Sequence, residues 1–158
     1  MIIALTCFAA SCAKSEPPVA AVEYAQVCSA ANKGKTIAVQ GFLGFGNKTP
    51  CVTLMRGDMK RDCGFKLLDK VNVVGKEIIV YLREGKENNQ AETPETGREN
   101  VKPSAGFENE QVKFRLNDGT VVTAQKDVAT PVTVTGEVSM SSDSDKECSI
   151  LANKIEKR

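Results

Sequence analysis

The stretch Lys35 to Phe45, KTIAVQGFLGF, returns in pattern near the C-terminus as Thr130 to Met140, TPVTVTGEVSM, and this pair constrains the fold more than anything else in the chain. In the first, Ile37, Val39, Gly41 and Leu43 alternate with Ala38, Gln40 and Phe42; in the second, Val132, Val134, Gly136 and Val138 alternate with Thr133, Thr135 and Glu137. A period of two predicts a strand with one buried face and one wetter face. Each strand carries a glycine at the same phase, and an interior strand glycine marks a bulge or a bend where a strand turns a barrel corner. The expected class is mainly β, built as a small curved barrel.

A chain of 158 residues supplies one domain with a real core. Lys and Arg number 21 against 20 Asp and Glu, so a net charge of +1 gives no overall field toward nucleic acid or an anionic membrane. The chain has no histidine, which removes Ser/His/Asp and Cys/His nucleophile systems, HExxH zinc sites and histidine pH switches. No catalytic constellation stands out, and no cofactor is implied. A Ser/Lys or carboxylate-pair mechanism stays open, but no spacing singles one out.

Six cysteines is a high count, and Cys7 and Cys12 lie in a leader-like N-terminus. The apolar run MIIALTCFAA followed by Ser11-Cys12 and then AKSEPP resembles a bacterial lipoprotein signal, with small residues before a cysteine that receives lipid. Alanine stands three positions before Cys12 where that family usually has leucine, and no basic segment comes first. The resemblance implies a signal over residues 1–11, lipidation of Cys12, a tether over 12–16 and a single domain over 17–158. A cleaved secretory signal and an ordinary apolar start are the alternatives. The run is too short to span a bilayer as a helix, so the expected membrane partner is met through a lipid anchor, with the domain on the cell envelope facing the periplasm or the exterior.

Along the chain, Pro17 to Asn32 has prolines first and Gly34 just beyond its end, with Ala21, Ala25, Cys28 and Ala31 on one stripe, which predicts a short N-terminal helix. Gly46-Asn47 suits a tight hairpin turn, so Pro50 to Met55 is expected to run back as a second strand. Arg56-Gly57-Asp58 reads as a turn rather than an adhesive tripeptide. With that turn centred on Gly57, Cys51 and Cys63 each lie six residues away and face each other across a hairpin, which predicts a Cys51–Cys63 disulfide. Cys28 and Cys148 are the leftover pair. Four cysteines allow three connectivities, which spacing leaves open, and a zinc site built from all four thiolates is a rival without C-x-x-C spacing.

Cys63 to Leu68 and Gly75 to Arg83 are further strands, the latter with Ile78, Val80 and Leu82 on one face. Residues 84–111 are polar and contain Pro94, Gly97, Pro103 and Gly106, which predicts a long loop insertion. Asn117-Asp118-Gly119 then joins Val112 to Leu116 and Thr120 to Ala124 as an extra hairpin, and Glu147 to Glu156 is the closing strand. Asp143 and Asp145 belong to a solvated turn rather than a calcium loop.

The Asn32-Lys33-Gly34-Lys35 run into TIAVQG, together with VTVTGEV (Val132 to Val138) and CSILANKIE (Cys148 to Glu156), resembles the OB fold of the anticodon-binding-like OB families. The resemblance implies a five-stranded Greek-key barrel whose ligand face takes in the second and third strands, with Phe42, Arg56, Lys60, Arg61 and Lys66 as ligand-face candidates. Asp58, Asp62 and Asp69 dilute the basic residues there and the chain has no tryptophan, so nucleic acid is a disfavoured partner. The expectation is a non-enzymatic envelope module that binds a protein, a saccharide or a small ligand. Single-stranded nucleic acid or an oligosaccharide on the OB face is the alternative.

Overall fold

The computed structural model describes residues 18–54, 60–71, 77–99, 101–123, 126–141 and 148–158. The proposed signal, Cys12, the Arg56-Gly57-Asp58 turn, Asp143 and Asp145 lie outside the described residues.

The strands in chain order are β1 (Ala20–Ala21), β2 (Thr36–Gly44), β3 (Lys48–Val52), β4 (Asp62–Leu68), β5 (Ile78–Arg83), β6 (Gln90–Glu92), β7 (Ser104–Glu108), β8 (Lys113–Arg115), β9 (Val121–Val122), β10 (Pro131–Met140) and β11 (Cys148–Lys157). Five of them close into a barrel in the order β2–β10–β11–β5–β4, with β4 returning to β2. All contacts round the ring are antiparallel except β11 with β5, which is parallel. Alternation fills the interior as read: Ile37, Val39 and Leu43 from β2 meet Phe65 and Leu67, Ile78, Val80 and Leu82, Val132, Val134 and Val138, and Ile150 and Ile155, all buried.

Closing five strands requires sharp bends, and the two phased glycines sit at them. Gly41 lies where β2, paired with β10 through Phe42, takes up β4 as a second neighbour from Phe42 onward. A Cβ at Gly41 would stand 2.8 Å from the Leu67 side chain and the Leu68 carbonyl. Gly136 lies at the register shift between β10 and β11, where a Cβ would stand 2.5 Å from the Leu151 oxygen. Both positions demand glycine because another strand's backbone or side chain fills the space.

Among the described residues the expected N-terminal helix is absent. Residues 20–32 instead form β1, parallel to β2, and two single 3-10 turns over Tyr24–Gln26 and Ala30–Asn32. An alanine stripe buries too little apolar area to hold a short helix onto a sheet. The open edge of β2 offers hydrogen bonds instead, including Val22 N–H to the Ala38 carbonyl at 2.8 Å. Val27 is buried, the Tyr24 hydroxyl donates to the Leu67 carbonyl at 2.7 Å, and the Cys28–Cys148 disulfide pins the segment to the start of β11.

Gly46-Asn47 is not a hairpin turn. β2 and β3 run in the same direction along β4: Gly44 pairs with Lys66 and Cys51 with Cys63, so residues 45–50 stand opposite only Gly64 and Phe65. The chain bulges out, is held by Asn109 Nδ2 donating to the Gly46 carbonyl at 2.6 Å and Thr49 Oγ1 to Asn109 Oδ1 at 2.9 Å, and then rejoins the same edge. The hairpin is the next one, β3 to β4, and there Cys51 and Cys63 are cross-strand partners joined by a disulfide. With Cys28 bonded to Cys148 as well, these four sulfurs are oxidised in pairs, which overturns the zinc rival.

Residues 84–111 are not a bare loop. They contribute β6, and β7, which pairs with β3. The predicted hairpin forms as β8–β9, with Phe114 opposite Val122 and Gly119 at φ 84°, and β6 adds to it. This small sheet buries Ala91, Phe114 and Val122 against one end of the barrel, where the Phe114 ring meets Phe65 edge-on at 5.3 Å and Phe45 at 6.0 Å. Polar composition concealed it, because only alternate residues of such short strands face inward.

Candidate functional site

Along the inward phase of β4, Leu67, Phe65 and Cys63 lead back to Arg61; along that of β5, Ile78, Val80 and Leu82 lead on to Glu84. Asp62 pairs with Arg83, so the next residues outward, Arg61 and Glu84, meet across the strands, and the Glu84 N–H donates to the Arg61 carbonyl at 2.8 Å. The two inward rows thus end in opposite charges at the mouth of the barrel. The Arg61 side chain is 0 % exposed. Its Nε and Nη2 donate to the two oxygens of Glu84, each at 2.9 Å, and Nη1 donates to Glu95 Oε2 at 2.8 Å. A bidentate guanidinium–carboxylate pair is the form in which such charges survive desolvation. The guanidinium also lies 5.3 Å from the centre of the Phe107 ring.

Glu95 is delivered by two successive turns, Thr96 N–H to the Thr93 carbonyl at 3.1 Å and Arg98 N–H to the Glu95 carbonyl at 3.0 Å, with Gly97 at φ 84° where a left-handed backbone favours glycine. The hydroxyls of Thr93 and Thr96 both donate to Glu84 Oε1, so the carboxylate is held from two sides. Burial pushes the Glu84 pKa up, but the hydrogen bonds from Arg61, Thr93 and Thr96 outweigh it and leave the group below the usual carboxylate value. Arg61 is held above its ordinary value, chiefly by its bond to Glu84. Nearby, on the other face of β4, Asp62 is buried with Arg83 Nε 3.4 Å from its Oδ1.

Outside this floor lies a cleft of about 440 Å³, walled by Gly85, Gly97 and Val101 and rimmed by Lys60, Lys86 and Arg98. Four cations line it against two carboxylates. Its floor is held by paired charges, and long cations stand at the rim.

Lys60 and Arg61 come together here, the first exposed on the rim and the second sealed beneath it. Phe42 and Lys66 lie elsewhere. Phe42 is half-buried on β2 under Arg158, whose guanidinium is 5.9 Å from the ring centre. Lys66 lies on the outer face of β4, paired with Glu77 at 2.7 Å, and lines a smaller notch of about 140 Å³ with Phe45, Gly64 and Ile79. Arg56 lies outside the described residues. Glu84, Glu95, Lys86 and Arg98 were not singled out by sequence reasoning. The readable sign was parity, since Glu84 continues the inward phase of Ile78, Val80 and Leu82.

Comparison with family models, with curated proteins and with solved structures finds no match.

Proposed function

We propose that this chain is a non-enzymatic binding module of the cell envelope, an OB-like barrel carried on a lipid at Cys12 that takes a ligand or a protein in the cleft at its mouth. The observation that carries the reading is the barrel itself, with its ring order, its one parallel contact and a cationic cleft beside the β3–β4 connection, where OB barrels place ligand-binding loops. Two disulfides support an oxidising compartment. Among the described residues no helix is long and apolar enough to cross a membrane, which is compatible with lipid anchoring.

The alternative site is the outer face of β4 and β5, where Tyr81 lies against Gly64: a Cβ at Gly64 would stand 3.0 Å from the Tyr81 ring. That arrangement favours an oligosaccharide over a nucleic acid. The cations of the face are already engaged, Lys66 by Glu77 and Arg83 by Asp62, which leaves little charge for a phosphate backbone. Fractionation of cells expressing the full chain tests the anchoring half of the proposal. The native chain is expected in the membrane fraction and a Cys12→Ser variant in the soluble envelope fraction; equal distribution of the two contradicts it.

A further inference from the structure

We propose that the ligand of the cleft is a sugar acid, a saccharide of one or two rings whose carboxylate or phosphate sits among Lys60, Lys86 and Arg98. The inference deepens the binding-module reading and rests on it. The first ground is charge. Arg61 is neutralised by Glu84 and Glu95 in the floor, whereas Lys60, Lys86 and Arg98 reach the rim from three separate segments and form no ion pair with a described residue. On β3 and β4, by contrast, Lys48 pairs with Glu108 at 2.9 Å and Lys66 with Glu77 at 2.7 Å. Three like charges round one cleft repel, and an anion placed among them relieves that repulsion.

The second ground is the acceptor beside them. Glu95 uses Oε2 on Arg61 and is half-buried, so its other oxygen remains to accept from ligand hydroxyls. A bare anion or a polyanion gains nothing from that carboxylate, while a polyhydroxylated acid uses both signs. Size agrees. A cleft of about 440 Å³ falls in the range that holds small organic ligands, and a lone oxyanion would leave most of it to water. The floor is pre-ordered by its hydrogen bonds, so little is lost in arranging it around a ligand.

The test is a nuclear magnetic resonance titration of isotope-labelled protein with glucuronate, a hexose phosphate, glucose and inorganic phosphate in parallel. Glucuronate or the hexose phosphate is expected to shift the amides of Gly85, Lys86, Gly97 and Arg98 saturably, and the stronger of the two identifies the oxyanion. Affinity should fall by about fivefold in Arg98→Ala and again in Lys86→Ala, and should weaken with salt. Both side chains are on the rim, and an unchanged remainder of the spectrum certifies the fold. Glucose binding as tightly as glucuronate overturns the role of charge while leaving a saccharide-binding module standing. Inorganic phosphate binding as tightly overturns the sugar. No saturable shift at these amides with either acid overturns the whole inference, and the outcome of the Cys12→Ser fractionation is independent of all three.

Discussion

Replacing Arg61 by methionine keeps the bulk of the side chain and removes its charge, leaving Glu84 buried with two threonine hydroxyls and no cation. Breaking a buried pair by deleting one partner costs roughly 3–5 kcal/mol, against about 0–1 kcal/mol for an exposed one. The bidentate geometry and the complete burial of Arg61 place this pair in the first class. For a chain of this length the expected fall in melting temperature is roughly 10 °C. The loss carries a pH signature. In the native chain the Glu84 pKa is depressed, so its contribution is present above the ordinary carboxylate pKa and is lost as pH falls through the folded value. In Arg61→Met burial acts with less opposition, the Glu84 pKa rises, and protonation relieves the variant in acid. The gap between the two proteins should therefore narrow toward low pH. Urea unfolding followed by circular dichroism, with disulfides intact, measures both effects, and Arg61→Met/Glu84→Gln completes a double-mutant cycle in which the double variant loses less than the sum of the singles. A loss under about 1 kcal/mol at neutral pH, a gap independent of pH, or additive singles would refute the reasoning.

Three further outcomes follow from the barrel. Gly136→Ala forces a Cβ against the Leu151 carbonyl and the Ala152 Cα and should cost roughly 1–3 kcal/mol in thermal unfolding, whereas Gly106→Ala, whose Cβ meets only Lys48 Cδ at 3.7 Å, should change stability little. Removing the Cys28–Cys148 bridge, which spans 120 residues, should destabilise by about 5 kcal/mol and removing Cys51–Cys63, which spans 12, by about 3 kcal/mol, as denaturation of the paired alanine variants will report. Burial pushes the Tyr24 phenol up to about 12, so its contribution is full below the ordinary value of 10.0 and is lost as pH rises from there. Ultraviolet titration should show a late-ionising tyrosine that Tyr24→Phe removes.

The parts of this molecule legible in its residues are those set by local alternation. Gly41 and Gly136 marked the corners because a strand interior tolerates glycine poorly unless space requires it. Cys51 and Cys63 could be paired because a turn centre fixes which residues face each other, and Asn117-Asp118-Gly119 carried its hairpin in three residues. What stayed hidden was set by distant partners. The alanine-rich segment has helical composition, yet the edge of β2 and the bond from Cys28 to a cysteine 120 positions away decide its shape. Gly46-Asn47 has turn chemistry, yet the β4 edge draws β3 onward. Arg61 looked like a surface cation because its partners, Glu84 and Glu95, stand 23 and 34 residues away.

The measurement that bears most directly on the disulfide-stapled barrel and its proposed tethering outside the cytoplasm is a non-reducing peptide map, by mass spectrometry, of the full chain recovered from membranes. It should find Cys51 linked to Cys63, Cys28 linked to Cys148, and an N-terminal peptide that begins at a lipid-bearing Cys12. Four free body thiols and an unmodified peptide running through Cys12 would contradict the account.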